Sequence, residues 1–259
     1  MFRTIGLRTE AMVMAGRSTF EDHGDHIVHR TPEEPDFWFG NYLGLRNAMA
    51  NLEDWERVFD GYFPDASHRT FTFDHPESAG WALPPLPQDW KTEVTEFMVL
   101  EGDIRRPAQP AGFSLRPIAS DLDWEQVLQL QLLTGIEEGH PAPEHEAYLR
   151  TKFRELRATA GRGRLCWFGA FEGSHLAADM GICVGDGLAR YQSVETAPSY
   201  RRRGICAALL VVAHDWAKAR DREAQIVIAA DAKADAGRIY ARAGFVTRER
   251  ILSLFKPGY

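Results

Sequence analysis

The sequence predicts an α+β protein whose second half is a mixed, mostly antiparallel sheet with helices on both faces. Three observations predict it. Residues 164–196 read as three short strands joined by the turns Glu172-Gly173-Ser174 and Gly185-Asp186-Gly187, a meander. From residue 188 onward the order changes to strand, loop, helix, strand, helix, strand. The stretch Arg105-Arg106-Pro107-Ala108-Gln109-Pro110-Ala111-Gly112 has linker composition, so a boundary is expected near residue 110. It separates an N-terminal α+β domain, 1–110, from the domain that carries the sheet, 111–259.

Residues 113–118 alternate and end beside Pro117, as a first strand would. Asp121 or Asp123 can cap a helix in which Trp124, Val127, Leu128, Leu130 and Leu132 recur at helical spacing. A second helix covers 144–158, with Tyr148, Leu149, Phe153 and Leu156 on its apolar side. The meander strands are 164–171, 177–184 and 188–196. Ile205, Ala208, Leu209, Val212 and Trp216 then share one face of a helix over 205–220. Residues 225–230 form a short apolar run, the pattern of a strand buried on both faces. A helix over 234–243 stops at Gly244, and 245–255 is a final strand or hairpin. In the first half, 25–31, 37–45, 68–73 and 93–100 read as strands and 52–59 as a helix.

Of 259 residues, 44% are hydrophobic and 26% charged, which excludes collagen-like, mucin-like and wholly disordered classes. No stretch approaches the roughly eighteen consecutive apolar residues of a membrane span. The N-terminus lacks a basic start followed by an apolar run, so a cytoplasmic setting without membrane contact is expected. Cys166, Cys183 and Cys206 form no Cys-x-x-Cys pair and are expected as reduced thiols. The net charge of −7 divides into −9 over residues 1–110 and +2 over 111–259. An acidic first half disfavours a nucleic-acid partner. Three consecutive arginines in the near-neutral second half favour a small anionic ligand. Oligomerisation is left open.

Those arginines lie in Ala197-Pro198-Ser199-Tyr200-Arg201-Arg202-Arg203-Gly204-Ile205-Cys206-Ala207, between a strand and a helix. A helix start carries N–H groups without internal partners and the positive end of the dipole, which together suit a phosphate. Gly204 lets backbone approach a ligand without a Cβ in the way, and Cys206 and Ala207 are small. The competing reading is a solvated arginine run that caps a helix and holds nothing.

The segment Val194 to Cys206 resembles motif A of the GCN5-related N-acetyltransferases, the GNAT superfamily, whose signature is Arg/Gln-x-x-Gly-x-Gly/Ala. Arg201 and Gly204 match it, and Cys206 replaces its last small residue. Downstream, Ala236, Tyr240, Gly244 and Phe245 fit the Ala-x-x-x-Tyr-x-x-x-Gly-Phe pattern of motif B. Lys233 stands near a position where the family often has asparagine. The resemblance covers about residues 111–259.

It implies acetyl-CoA as donor, with no metal. The amides of Arg202, Arg203, Gly204, Ile205, Cys206 and Ala207, beside Arg201, would hold the diphosphate. The edge of Val194, Glu195 and Thr196 would pair with the pantetheine arm. A backbone N–H on strand 188–196 would stabilise the oxyanion as an amine attacks directly. Tyr240 would protonate the leaving thiolate, unless it only packs on the sheet. Glu195 would take the proton from the amine, with a water chain as rival. Glu137, Glu138 and His140 lie where the family places acceptor contacts. Cys206, although a helix N-terminus can lower a thiol pKa, needs no nucleophilic role.

The first half echoes the strand, helix, strand, strand order of the back of such a domain, so a tandem with a degenerate N-terminal copy is expected. Arg46-Asn47-Ala48-Met49-Ala50, where its phosphate loop would lie, has no glycine. Glu21, Asp22, His23, Asp25, His26 and His29 fit no zinc spacing and read as a solvated turn. Trp38, Trp55, Trp81 and Trp90 read as packing residues. The expected function is N-acetylation of a primary amine on a small molecule or peptide. The alternatives are an acyl-CoA-binding sensor or assembly protein without turnover, and an enzyme for longer acyl chains or hydroxyl acceptors.

Overall fold

A computed structural model of the chain describes every residue except 36, 138, 140, 141, 234, 235 and 259. In chain order the helices are α1 (Ile5–Val13), α2 (Leu52–Tyr62), α3 (Asp121–Glu137), α4 (Ala142–Gly161), α5 (Ile205–Arg220) and α6 (Ala236–Ala243). The strands are β1 (Thr19–Asp22), β2 (His26–Arg30), β3 (Tyr42–Leu45), β4 (Arg69–Phe73), β5 (Lys91–Leu100), β6 (Ser114–Pro117), β7 (Leu165–Glu172), β8 (His175–Gly185), β9 (Leu188–Thr196), β10 (Gln225–Asp231) and β11 (Phe245–Lys256).

The chain divides into two compact units. One comprises Met1–Val99 with Ala229–Arg238 and the residues from Val246 onward; the other comprises Leu100–Ile228 and Ile239–Phe245. The sequence division at residue 110 therefore differs from this partition. Linker composition marks where a loop runs, but strand pairing decides which unit a later segment joins. Here Ser253–Lys256 of β11 pair antiparallel with Arg69–Thr72 of β4, far back in the chain.

In the second unit the strands lie in the order β10-β9-β8-β7-β6. β7, β8 and β9 form the expected antiparallel meander, and β10 runs parallel to β9 after the α5 crossover. Apolar strands packed against α3, α4 and α5 bury Trp167, Phe171, Met180, Ile182 and Leu209 to 2% exposure or less. Gly181 has to be glycine, because a Cβ there would overlap the Trp167 ring. α3 begins at a cap of its own making: Ser120 Oγ accepts from Asp123 N at 3.1 Å, and the Asp123 carboxylate accepts from Ala119 N and Ser120 N.

Asp123 also receives both Arg116 guanidinium nitrogens at 2.8 Å. The Arg116 bond and, after it, the two backbone N–H bonds hold its carboxyl far below the usual carboxylate range, against the opposing effect of burial. A depressed folded-state pKa contributes stability above the unfolded value, about 4, that is lost as pH falls below it. Asp123→Ala is expected to cost about 1–2 kcal/mol at neutral pH. The deficit should shrink in urea melts as pH drops below about 4; a constant deficit would contradict this.

The first unit repeats the same plan. Its order is β1-β2-β3-β4-β11-β5, with β1, β2 and β3 an antiparallel meander and β4 parallel to β3 across the α2 crossover. Phe59, Phe71 and Phe73 are fully buried, and Trp90 stacks on Phe71 with centroids 5.6 Å apart, so the tryptophan expectation holds for Trp90. Trp55 and Trp81 pack against the same cluster.

Three local expectations change. The strand expected over 37–45 is only Tyr42–Leu45, preceded by a 3₁₀ turn at Trp38–Gly40. Asn41 causes this: its Nδ2 donates to the carbonyls of Glu34 and Phe37, and its Oδ1 accepts from Thr31 N. The acidic and histidine-containing segment is not a solvated turn throughout. Glu21 and Asp22 lie in β1, His26 and His29 are buried in β2, and Asp22 pairs with Arg46. Among the described residues no cluster could hold a metal ion, and no helix is long and apolar enough to cross a membrane. The final segment, left as a strand or a hairpin, is one strand.

Candidate active site

The loop from β9 to α5 begins with a 3₁₀ turn at Pro198–Tyr200 and ends at Gly204, the residue before α5. Gly204 sits at φ 77°, where a Cβ would be strained, and nothing lies within 4 Å of the position that Cβ would take. The first intrahelical bond is Ala208 N to Gly204 O at 3.2 Å. With no side-chain cap at Gly204, the N–H groups of Ile205, Cys206 and Ala207 have no partner among the described residues. Residues 201–204 are exposed.

The starts of α1 and α2 are closed. Ile5 N and Gly6 N of α1 donate to the two carboxylate oxygens of Glu249 at 2.7 and 2.8 Å. Asn51 Oδ1 accepts from Glu53 N at 3.0 Å, and α2 carries Glu53 and Asp54 in its first turn. Two carboxylates there repel an anion. Arg46, the one arginine of the corresponding first-half loop, is committed to the Gly24 and Met1 carbonyls and to Asp22. α5, by contrast, starts with unpaired amides and no acidic residue in its first turn.

Two of the three arginines are tethered. Arg201 donates from Nε to Thr196 O at 3.2 Å and from Nη2 to Glu137 Oε2 at 2.7 Å. Arg203 lies 4.8 Å from the Phe113 ring centroid and 3.4 Å from Glu172 Oε1, whose Oε2 accepts from Tyr200 Oη. Arg202, at φ 64°, is exposed and has no ion-pair partner among the described residues. Glu137, expected among the acceptor contacts, is engaged with Arg201. Glu138 and His140 lie outside the described residues.

β9 is irregular where the site needs it. Its parallel register with β10 runs from Leu188↔Gln225 to Arg190↔Val227 and extends no further among the described residues. Of residues 192–196, Gln192, Glu195 and Thr196 therefore pair with β8 alone, and Ser193 and Val194 stand outside both registers. Between Gly181↔Gln192 and Asp179↔Glu195 two residues of β9, Ser193 and Val194, oppose one residue of β8, a bulge. Ser193 takes φ 41°, a left-handed conformation that costs a non-glycine residue about 1 kcal/mol.

Side chains hold that bulge. Gln131 Nε2 of α3 donates to Ser193 O at 3.1 Å, and Lys152 Nζ of α4 donates to Ser193 Oγ at 2.7 Å. Gln131 Nε2 also donates to Asp179 Oδ1 at 2.8 Å, which accepts from Trp167 Nε1 at 2.8 Å. Asp179 is fully buried, and its Oδ2 has no partner among the described residues. Burial pushes this carboxyl up to about 8; the Trp167 and Gln131 bonds and Lys152 oppose the rise, and Glu195 adds to it. Sequence reasoning missed all four residues. The available signal was a lone carboxylate inside the apolar run 176–184.

Tyr240 is 4% exposed, and its ring meets Phe245 edge-on at 6.4 Å. Burial first, then Cys206 and Glu195, raise its phenol far above the ordinary range, so it stays protonated. The charges of Cys206 and Glu195 act on Tyr240, so the three residues share one neighbourhood. At Cys206 burial, reinforced by Glu195, pushes the thiol up to about 12, opposite to the lowering that a helix start can produce. Desolvation disfavours the thiolate. Cys166 and Cys183 are likewise free thiols.

The candidate site therefore lies on a meander, a parallel crossover strand and an open helix start between them. Residues 124–245 match the model of the acetyltransferase (GNAT) family, and this segment is a GNAT domain. The fold agrees. A GCN5-related N-acetyltransferase from Kribbella flavida superimposes with TM-score 0.63 at 17% identity, covering 98% of this chain and 94% of its own. A conserved protein of unknown function from Staphylococcus epidermidis ATCC 12228 gives 0.67 at 15%, covering 95% and 96%. A tandem GNAT protein from the clavulanic acid biosynthesis pathway gives 0.55 at 18%, covering 77% and 66%. The repeated meander-and-crossover plan accords with a tandem. No curated protein matches the sequence.

Proposed function

We propose that the chain is an N-acetyltransferase that moves an acetyl group from acetyl-CoA to a primary amine of a small molecule or peptide by direct attack, in a cytoplasmic setting. The observation that carries this reading is the open start of α5, where the amides of Ile205, Cys206 and Ala207 face space that Gly204 leaves clear. Those groups suit a diphosphate, and the residues around them fit coenzyme A.

When bound, acetyl-CoA would supply an activated thioester carbonyl. The α5 amides would hold the diphosphate, with Arg202 adding charge. Residues 192–196, which have no partner on the β10 side among the described residues, would receive the pantetheine amides at the strand edge. Glu195 would take a proton from the amine at its carboxylate. Tyr240 Oη would deliver one to the departing sulfur. A Cys206 thiol that burial keeps protonated is consistent with transfer that involves no acyl-cysteine.

The test is thiol release from acetyl-CoA in the presence of a panel of primary amines, with longer acyl-CoA donors and hydroxyl acceptors alongside. Amine-dependent release fastest with the acetyl donor supports the proposal. Calorimetric CoA binding with no release across the panel would replace it with the sensor reading.

A further inference from the structure

The buried polar group at the β9 bulge is not explained by holding a cofactor. Gln131, Lys152, Trp167 and Asp179 come from α3, α4, β7 and β8, and together they fasten a residue in a conformation that Ser193 would not adopt unaided. A bulge leaves a residue of the strand outside the ladder, so a peptide N–H at Ser193–Val194 is released from pairing with β8. Such a donor is useful only if its direction is fixed.

We propose that Gln131 and Asp179 are positioning residues for acyl transfer: they clamp the Ser193 carbonyl and so aim the adjacent peptide N–H at the acyl oxygen of the bound thioester. The proposal rests on the acyltransferase reading above. Gln131 makes the decisive contact, since one Nε2 bridges Ser193 O and Asp179 Oδ1. Asp179 Oδ1 holds that amide, and Trp167 Nε1 donates to the same oxygen and fixes the carboxyl. Lys152 anchors the Ser193 hydroxyl separately. A purely structural polar core would have no reason to converge on the one left-handed residue of the strand that flanks the site.

The experiment uses the full chain with [1-¹³C]acetyl-CoA. Infrared difference spectra read the thioester carbonyl stretch, calorimetry reads donor affinity, and thermal melts verify folding. In the wild type the stretch should fall below that of free acetyl-CoA. Gln131→Met should return it towards the free value with donor affinity unchanged. Against the most active amine of the panel, kcat should drop about 10- to 100-fold with little change in the KM of acetyl-CoA. Asp179→Leu should behave alike, and Asp179→Asn, which keeps an acceptor for Trp167 and Gln131, should restore the wild-type frequency. A folded Gln131→Met protein that retains the lowered stretch overturns the proposal. So does a wild-type complex whose carbonyl absorbs as in free solution, although acetyl-CoA binding would then stand. Failure of the wild type to bind acetyl-CoA in calorimetry is a separate result; it removes the acyltransferase reading and this inference with it.

Discussion

Gly204→Glu is expected to abolish coenzyme A binding. The substitution places a carboxylate where the open amides of Ile205, Cys206 and Ala207 would meet the diphosphate, and like charges there repel. It also forces a side chain onto φ 77°, at about 1 kcal/mol. Because nothing lies within 4 Å of the new Cβ, the protein should still fold. Calorimetry should show affinity reduced at least about a hundredfold, near 3 kcal/mol. Gly204→Ala isolates the strain and should stay within about tenfold of wild type. Equal affinities for the Glu variant and wild type would show that the diphosphate lies elsewhere.

Tyr240→Phe is expected to have the largest effect on turnover. The phenol is buried and its surroundings keep it protonated throughout the neutral range, the state the proposed donor role requires. Loss of the hydroxyl leaves the ring packed on Phe245 and removes only the donor. A fall of about a hundredfold in kcat is expected, with the KM of acetyl-CoA changed less than about twofold. The deficit should be independent of pH through the neutral range, because the group does not titrate there. Unchanged kcat would leave Tyr240 as a packing residue.

The parts of the site written in contiguous residues were legible. Strand β9, the Pro198 turn, Gly204 and the apolar face of α5 follow one another along the chain, and each has a local signature. Pairings over long sequence separations were not. α1 went unseen because its start is capped by Glu249 and Asp74, which stand 244 and 70 residues away and leave no local capping pattern. The partner of β11, and hence the division of the chain into units, is another distant pairing. The Arg201–Glu137 ion pair belongs to the same class: each residue was singled out, but for different ligands. Cys206 shows a local rule overridden by burial. Asp179 was legible in principle, since a carboxylate inside an apolar strand must find donors or give up its charge.

The central claim is that the free amides at the start of α5 grip the diphosphate of coenzyme A, and a crystal structure of the full chain with coenzyme A tests it most directly. The account predicts diphosphate oxygens within hydrogen-bonding distance of the N–H groups of Ile205, Cys206 and Ala207, with the pantetheine arm along residues 192–196. Coenzyme A bound elsewhere, with those amides facing water or closed by a protein side chain, would contradict it.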